Sequence, residues 1–151
     1  ILRDEVYIAN ILKCRPPHNR DPLPEEGDAC IGFLREQVKL IRPEIIVCLG
    51  RISAMRLIKP DFKITREHGI IIKKGAFAMT AVYHPAALLR DPSKKEDMYR
   101  DMKKIKAYID STASEYCSTP IFSRLCPLLR VSGIYIRQCI SPRRRKYTRP
   151  P

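Results

Sequence analysis

The stretch Pro43-Glu44-Ile45-Ile46-Val47-Cys48-Leu49-Gly50 decides the fold. Ile45 to Leu49 is a continuous apolar run bounded by a proline and a glycine. A strand wetted on one face alternates apolar and polar residues, whereas an unbroken run is the pattern of a parallel strand covered on both faces. Working outward, Pro22-Leu23-Pro24-Glu25-Glu26 opens a helix with acids in its first turn, and Ile31, Leu34, Val38 and Ile41 recur at helical spacing until Pro43 stops it. Upstream, Val6 to Leu12 reads as a buried strand ending at Arg15-Pro16-Pro17, where proline stops pairing, and a long loop follows. Downstream, Gly50 turns the chain into a short helix from Ile52 to Ile58, and strands follow at Ile70 to Ile72 and Phe77 to Val82. Ser93 can cap a last helix to about Ile109, with Met98, Met102, Ile105 and Ile109 on one face. The order βαβαββα predicts an α/β layered fold, a mostly parallel sheet with helices on both sides. Ligands of such sheets bind beyond the carboxyl ends of the strands. That rule singles out Asn10 to Arg20, Gly50-Arg51 and His84 to Arg90.

The chain has 151 residues, one ordinary domain's worth, with 44% hydrophobic and 30% charged residues. No apolar run approaches the roughly 20 residues of a membrane span, and Ile1 to Val6 carries charges where a signal peptide needs an apolar stretch, so a cytoplasmic protein with no membrane partner is expected. The first residue is Ile, not Met, which suggests a missing beginning. Lys and Arg number 29 against 16 acids, a formal net charge of +13, which favours a polyanionic partner. The excess is uneven. Residues 1–110 hold 21 basic and 15 acidic side chains, whereas residues 111–151 hold 8 and 1. Seven of those eight are Arg, and Arg143-Arg144-Arg145-Lys146 lies near the end. The domain is therefore expected over 1–110, with 111–151 a basic tail that is either a disordered arm gripping phosphates or a non-native extension.

Three constellations can carry chemistry. Asn10 ends a strand ahead of the cationic, proline-stiffened loop Lys13-Cys14-Arg15-Pro16-Pro17 and Asn19-Arg20-Asp21-Pro22. A buried amide offers a donor beside an acceptor, as reading a nucleobase edge requires, although a lone Asn at a strand end also serves as a satisfied turn. Cys14 and Cys30 stand near this loop, while Cys48 in the apolar strand reads as a core thiol. Two such thiols are half of a four-cysteine iron–sulfur or zinc site, or simply unligated. Tyr83-His84-Pro85-Ala86-Ala87-Leu88-Leu89-Arg90 follows the last strand. Its imidazole can hydrogen-bond a developing anion, and its leucines beside an arginine suit insertion into a base stack. The plainer account caps the loop with His84 and packs the leucines in the core. His18 and His68 are read as structural.

Together these segments, from about Val6 to Asp110, resemble the family 4 uracil-DNA glycosylases, the iron–sulfur branch of the uracil-DNA glycosylase superfamily. The residues after His84-Pro85 set the resemblance apart from family 5. It implies a three-layer αβα fold around a mostly parallel sheet, and a hydrolase of base excision repair that releases uracil from deoxyuridine and leaves an abasic site. It implies that Asn10 reads the Watson–Crick edge of an extruded uracil, that His84 stabilises the departing base, and that Leu88, Leu89 and Arg90 enter the DNA. Lys13, Arg15, Arg20 and Arg90 would anchor phosphates. Cys14 and Cys30 match two of the four cysteine ligands of a [4Fe–4S] cluster. A monomer acting on uracil-containing DNA is expected. The family's preceding segment, with two further cysteines, a Gly-Glu-Ala-Pro-Gly loop and an aromatic residue that stacks on uracil, has no counterpart in this sequence. The chain therefore reads as an N-terminally truncated fragment that by itself holds no stable cluster and has little or no activity. Cys117, Cys126 and Cys139 are the competing source of ligands, at a spacing that argues against them. The rival classes are a non-catalytic iron–sulfur or zinc DNA-binding module and a plain α/β interaction domain.

Overall fold

A computed structural model of the chain describes residues 5–117 and 133–137. Besides a 3-10 turn at Pro17–Asn19, the strands and α-helices among the described residues are, in order, β1 (Val6–Asn10), α1 (Pro24–Ile41), β2 (Ile45–Leu49), α2 (Arg51–Leu57), α3 (Ile64–Glu67), β3 (Ile72–Lys74), β4 (Phe77–Val82), α4 (Pro85–Arg90), α5 (Lys94–Cys117) and β5 (Gly133–Arg137). The strands form one sheet in the order β1-β5-β2-β4-β3. All neighbours are parallel except β3, which pairs antiparallel with β4 through the two-residue turn Gly75-Ala76. Gly75 supplies the positive φ of 67° that such a turn needs.

The period of two along each strand sends alternate residues to opposite layers. Ile46 and Cys48 of β2 and Met79 and Ala81 of β4 join Leu34, Ala54 and Phe62 on one face. Ile45 and Val47, with Ala78 and Val82, pack against Ile105 and Ile109 of α5 on the other. Helices thus cover both faces of a mostly parallel sheet, the three-layer arrangement expected. The α1 stripe behaves as its spacing predicts: Leu34 is buried, and Ile31, Val38 and Ile41 pack against the same cluster. Burial pushes the Cys48 thiol up to about 12, which makes it the inert core thiol expected.

The structure departs from the sequence reading in several places. β3 lies at 72–74, later than Ile70 to Ile72, because the hairpin turn, not the apolar run, sets the pairing. The loop expected after β4 is the short helix α4, and α3 was not foreseen. Asp110 is not a structural boundary. α5 runs on to Cys117, and Thr112 Oγ1 donates to Glu44 Oε2 at 3.1 Å, tying that extension to the turn before β2. The Gly-Ile-Tyr-Ile-Arg segment at 133–137, β-branched and aromatic enough for a strand, lies between β1 and β2. The expectations placed on Cys126, Cys139 and Arg143-Arg144-Arg145-Lys146 fall outside the described residues.

Candidate base-binding cleft at the strand ends

Parallel strands bring their carboxyl ends to one edge, and three of those ends hold the residues singled out above. Asn10 closes β1, Gly50 follows β2, and His84 lies two residues past the end of β4. The register puts Asn10 beside Arg137, Arg137 beside Leu49 and Leu49 beside Val82, so Asn10 and Val82 share one row of the sheet. Three strand spacings of about 4.8 Å separate their backbones by roughly 14 Å.

Asn10 Oδ1 is buried and has no hydrogen-bond partner among the described residues. Native structures seldom leave a buried amide oxygen so, and such an atom calls for a water, a ligand or local strain to account for it. His84 is fixed at its other end. Its backbone is extended, it occupies the N-cap of α4, and its Nδ1 accepts the Ala86 N–H at 3.1 Å. A backbone N–H can only donate, so Nδ1 is unprotonated and the proton of the neutral ring sits on Nε2. The expectation that His84 caps the loop is met at Nδ1, and Nε2 is left as the nitrogen that carries the proton of the neutral ring. Gly50 makes this placement possible. Its φ is 93°, its N–H donates to Val82 O at 2.8 Å, and a Cβ added to it would come within 3.0 Å of His84 Cβ.

Behind His84 lies a set that sequence reasoning missed. Tyr83 is buried and packs its ring 4.8 Å from the ring of His68, whose Nδ1 lies 2.6 Å from Asp101 Oδ2. Asp101 is 2% exposed. Burial raises the Tyr83 hydroxyl above its ordinary value, with the nearby Asp97 carboxylate adding to the rise. The one available signal was Gly69, whose positive φ of 69° leaves room for the Asp101 carboxylate where a Cβ would fall 1.9 Å from its oxygen.

The loop between β1 and α1 is braced throughout. Lys13 Nζ reaches Asn10 O at 3.4 Å and Gln37 Oε1 at 3.3 Å, and Gln37 donates in turn to Tyr7. Arg20, expected on a phosphate, forks onto Glu26 at 2.9 and 2.7 Å. The Arg20 guanidinium and the Leu23 N–H hold the Glu26 carboxyl below its ordinary range. Arg51 pairs with Asp21 at 2.6 Å and so links this loop to the start of α2. Arg15 and Arg90 are exposed. Leu88 is half-buried and Leu89 is 84% exposed, so of the two leucines only Leu88 leans toward the packing account.

The structure sets one loop-proximal thiol against the backbone beside the other. Cys30 Sγ accepts the backbone N–H of Lys13, the residue before Cys14, at 3.4 Å. Cys14 is exposed and Cys30 half-buried. N–H donors to sulfur are the kind of contact that tunes thiolates in iron–sulfur sites. Among the described residues no group of three or more His, Cys, Asp or Glu could hold a metal ion, so this pair fits half of a ligand set. A cavity of about 830 Å³ opens elsewhere, between α1 and α2, lined by residues such as Ile31, Val38, Met55 and Phe77 and by neither Asn10 nor His84. No described helix is long and apolar enough to cross a membrane.

The model of the uracil DNA glycosylase superfamily matches residues 1–107. The type-4 uracil-DNA glycosylase of Archaeoglobus fulgidus is 44% identical over 111 residues, covering 68% of this chain and 56% of that protein. The type-4 uracil-DNA glycosylase of Sulfurisphaera tokodaii is 39% identical over 112 residues, 69% of this chain and 51% of its own length. That of Thermotoga maritima is 38% identical over 113 residues, 72% and 59%. The chain spans about half the length of the curated relatives it matches.

Proposed function

Since the chain belongs to the uracil DNA glycosylase superfamily, we propose that the whole protein hydrolyses the N-glycosidic bond of deoxyuridine in DNA, as a cytoplasmic enzyme of base excision repair. The observation that carries this reading is the fixed tautomer of His84: with Nδ1 taken by the Ala86 N–H, the ring presents an N–H donor at Nε2. A base inside a duplex is out of reach, so the nucleotide is extruded, at a cost of about a few kcal/mol that is least for a mispaired base. Leu89, with Leu88 and Arg90 beside it, fills the gap it leaves. Asn10 offers its amide to the Watson–Crick edge, matching uracil and meeting cytosine with donor and acceptor exchanged. The C1′–N1 bond then breaks with its electron pair going to the base. Nε2–H of His84 donates to a uracil oxygen, a bond that strengthens as that oxygen gains charge. Water adds to C1′ and gives up a proton, which the uracil anion takes up, leaving an abasic site and free uracil. No side-chain nucleophile is required.

Lys13, Arg15 and Arg90 hold phosphates, and Arg20 does so only where a phosphate displaces Glu26. Cys14 and Cys30 would supply two of four thiolates to a [4Fe–4S] cluster, which when bound cross-links the β1 loop to α1. Among the described residues Cys14 and Cys30 are half that ligand set. The test is uracil release from a duplex carrying one U·G pair, by the whole protein and by its His84→Ala variant. The whole protein should release uracil, and the variant should bind the duplex yet lose release by about 10²–10³-fold. Binding without release by the whole protein would make this a non-catalytic DNA-binding module.

A further inference from the structure

α5 turns one face to the sheet and the opposite face to solvent, and the solvent face is ordered. Met98, Met102, Ile105 and Ile109 pack inward. Lys95, Tyr99, Lys103 and Lys106 follow one another at intervals of four, four and three residues, which places them on one stripe of the helix, and all four are exposed. The other exposed cations of this helix are paired: Arg100 with Asp97 at 3.4 Å and Lys104 with Asp101 at 3.9 Å. Lys95, Lys103 and Lys106 have no acidic partner among the described residues, and Lys103 Nζ sits 4.5 Å from the Tyr99 ring centroid. Asp110 marks the far end of the stripe and Glu96 flanks it. The near end starts five residues after Arg90, and α4, which carries Leu88, Leu89 and Arg90, packs on α5.

We propose that this stripe carries the DNA strand leaving the cleft, the lysines on phosphates of that strand and Tyr99 beneath an unpaired base. The inference rests on the DNA-binding reading above and extends it to the flank of the substrate. Lys95 and Lys106 are eleven residues apart, about 16 Å along the axis at 1.5 Å per residue. A strand of B-DNA places about five phosphates over that length. A half-exposed aromatic among lysines is the composition of a stacking platform in an electrostatic groove, tolerant of sequence because every base has a π-face. Tyr99 is 59% exposed, far more than any need of the core would leave it. An anionic membrane is the less suitable partner, because a helix lying in a lipid interface turns a broad apolar face outward and the apolar face of α5 is buried in the domain.

The experiment is fluorescence anisotropy with the 151-residue chain, across a salt series. The probes are a short uracil oligonucleotide, the same site with a long flank on either side, single-stranded or paired, and phosphatidylserine vesicles. The triple variant Lys95→Gln, Lys103→Gln, Lys106→Gln is compared with a charge-matched control, Lys39→Gln, Lys73→Gln, Lys74→Gln, both verified as folded by circular dichroism. The stripe variant should bind a long-flank probe at least tenfold more weakly at low salt. It should also lower the slope of log affinity against log salt by about two to three, since each lost phosphate contact is worth about 0.7–0.9. The control should lose less than threefold, and the short probe should not separate the two variants. Tyr99→Ala should lose about tenfold on an unpaired flank and nothing on a duplex flank. Equal losses in stripe and control variants, a wild-type chain that binds no DNA, or vesicle binding that depends on the stripe while DNA binding does not, each overturn the proposal. Uracil release by the whole protein with stripe-independent binding overturns the stripe alone; stripe-dependent binding without uracil release overturns only the glycosylase reading.

Discussion

The loops after β1 and after β4 lie at the same edge of the sheet and are held in opposite ways. The first is pinned along its length by Lys13 to Gln37, Arg20 to Glu26 and Arg51 to Asp21, above the buried Leu12 and Pro16. The second is fixed at its two ends, where His84 caps α4 against Gly50 and where Asp91 takes hydrogen bonds from Ser93 and pairs with Lys94, and between them Leu89 stands in solvent. A group that reads a base edge works only when placed to within about half an ångström, which calls for bracing. A wedge has to keep apolar surface exposed until DNA arrives, which bracing would defeat.

The sharpest way to break this contrast is His84→Ala in the whole protein. Uracil release should fall about 10²–10³-fold with DNA binding retained, measured by single-turnover release beside anisotropy. Equal losses of both would mean that the root of the second loop holds DNA and not the leaving base. Next is His68→Ala, which leaves the buried Asp101 carboxylate without its imidazole. Removing the hydrogen-bond partner of a buried group costs about 1–3 kcal/mol, so the midpoint of urea unfolding should fall. Gly50→Ala sharpens the comparison at the root itself. A positive φ imposed on alanine costs about 1–3 kcal/mol, and the added methyl presses on His84, so thermal melting should drop and release should fall further than stability explains. Leu89→Ala should leave the melting temperature unchanged while weakening capture of the extruded base. A clear loss of stability would show the wedge to be core.

The smallest effect belongs to the braced loop and depends on pH. The carboxyl of Glu26 is held below its ordinary value by Arg20 first and the Leu23 N–H second. A depressed carboxyl stabilises the fold above its unfolded value, and that contribution is lost as pH falls through the folded one. The difference in melting temperature between wild type and Glu26→Gln should therefore shrink as the medium is acidified through the carboxylate range. A gap that widens in acid would reverse the assignment.

What the sequence made legible follows from how local each signal is. The run Ile45 to Leu49, the stripe Ile31 to Ile41 and the strand Phe77 to Val82 declare themselves because burial on a fixed period leaves a pattern within a few residues. The places of Asn10 and His84 at strand ends, of Cys14 in a loop and of Cys30 in the first turns of α1 were legible, while their roles rest on the proposed function. The charge of Arg20 was plain, but not the partner that occupies it, six residues away across a turn. His68 was read as structural, and nothing near it in the chain announced Asp101, 33 residues on. The strand at 133–137 was hidden by the basic company it keeps, since charge invites a tail reading even where a β-branched run permits pairing.

Gly69 and Asp101 occupy each other's room: the carboxylate fills the space where any side chain at residue 69 would begin. Over evolutionary time the two positions are then locked as a pair. A lineage could replace the glycine only after the acid had shrunk or gone, so among descendants of a common ancestor the two should change together, and in that order.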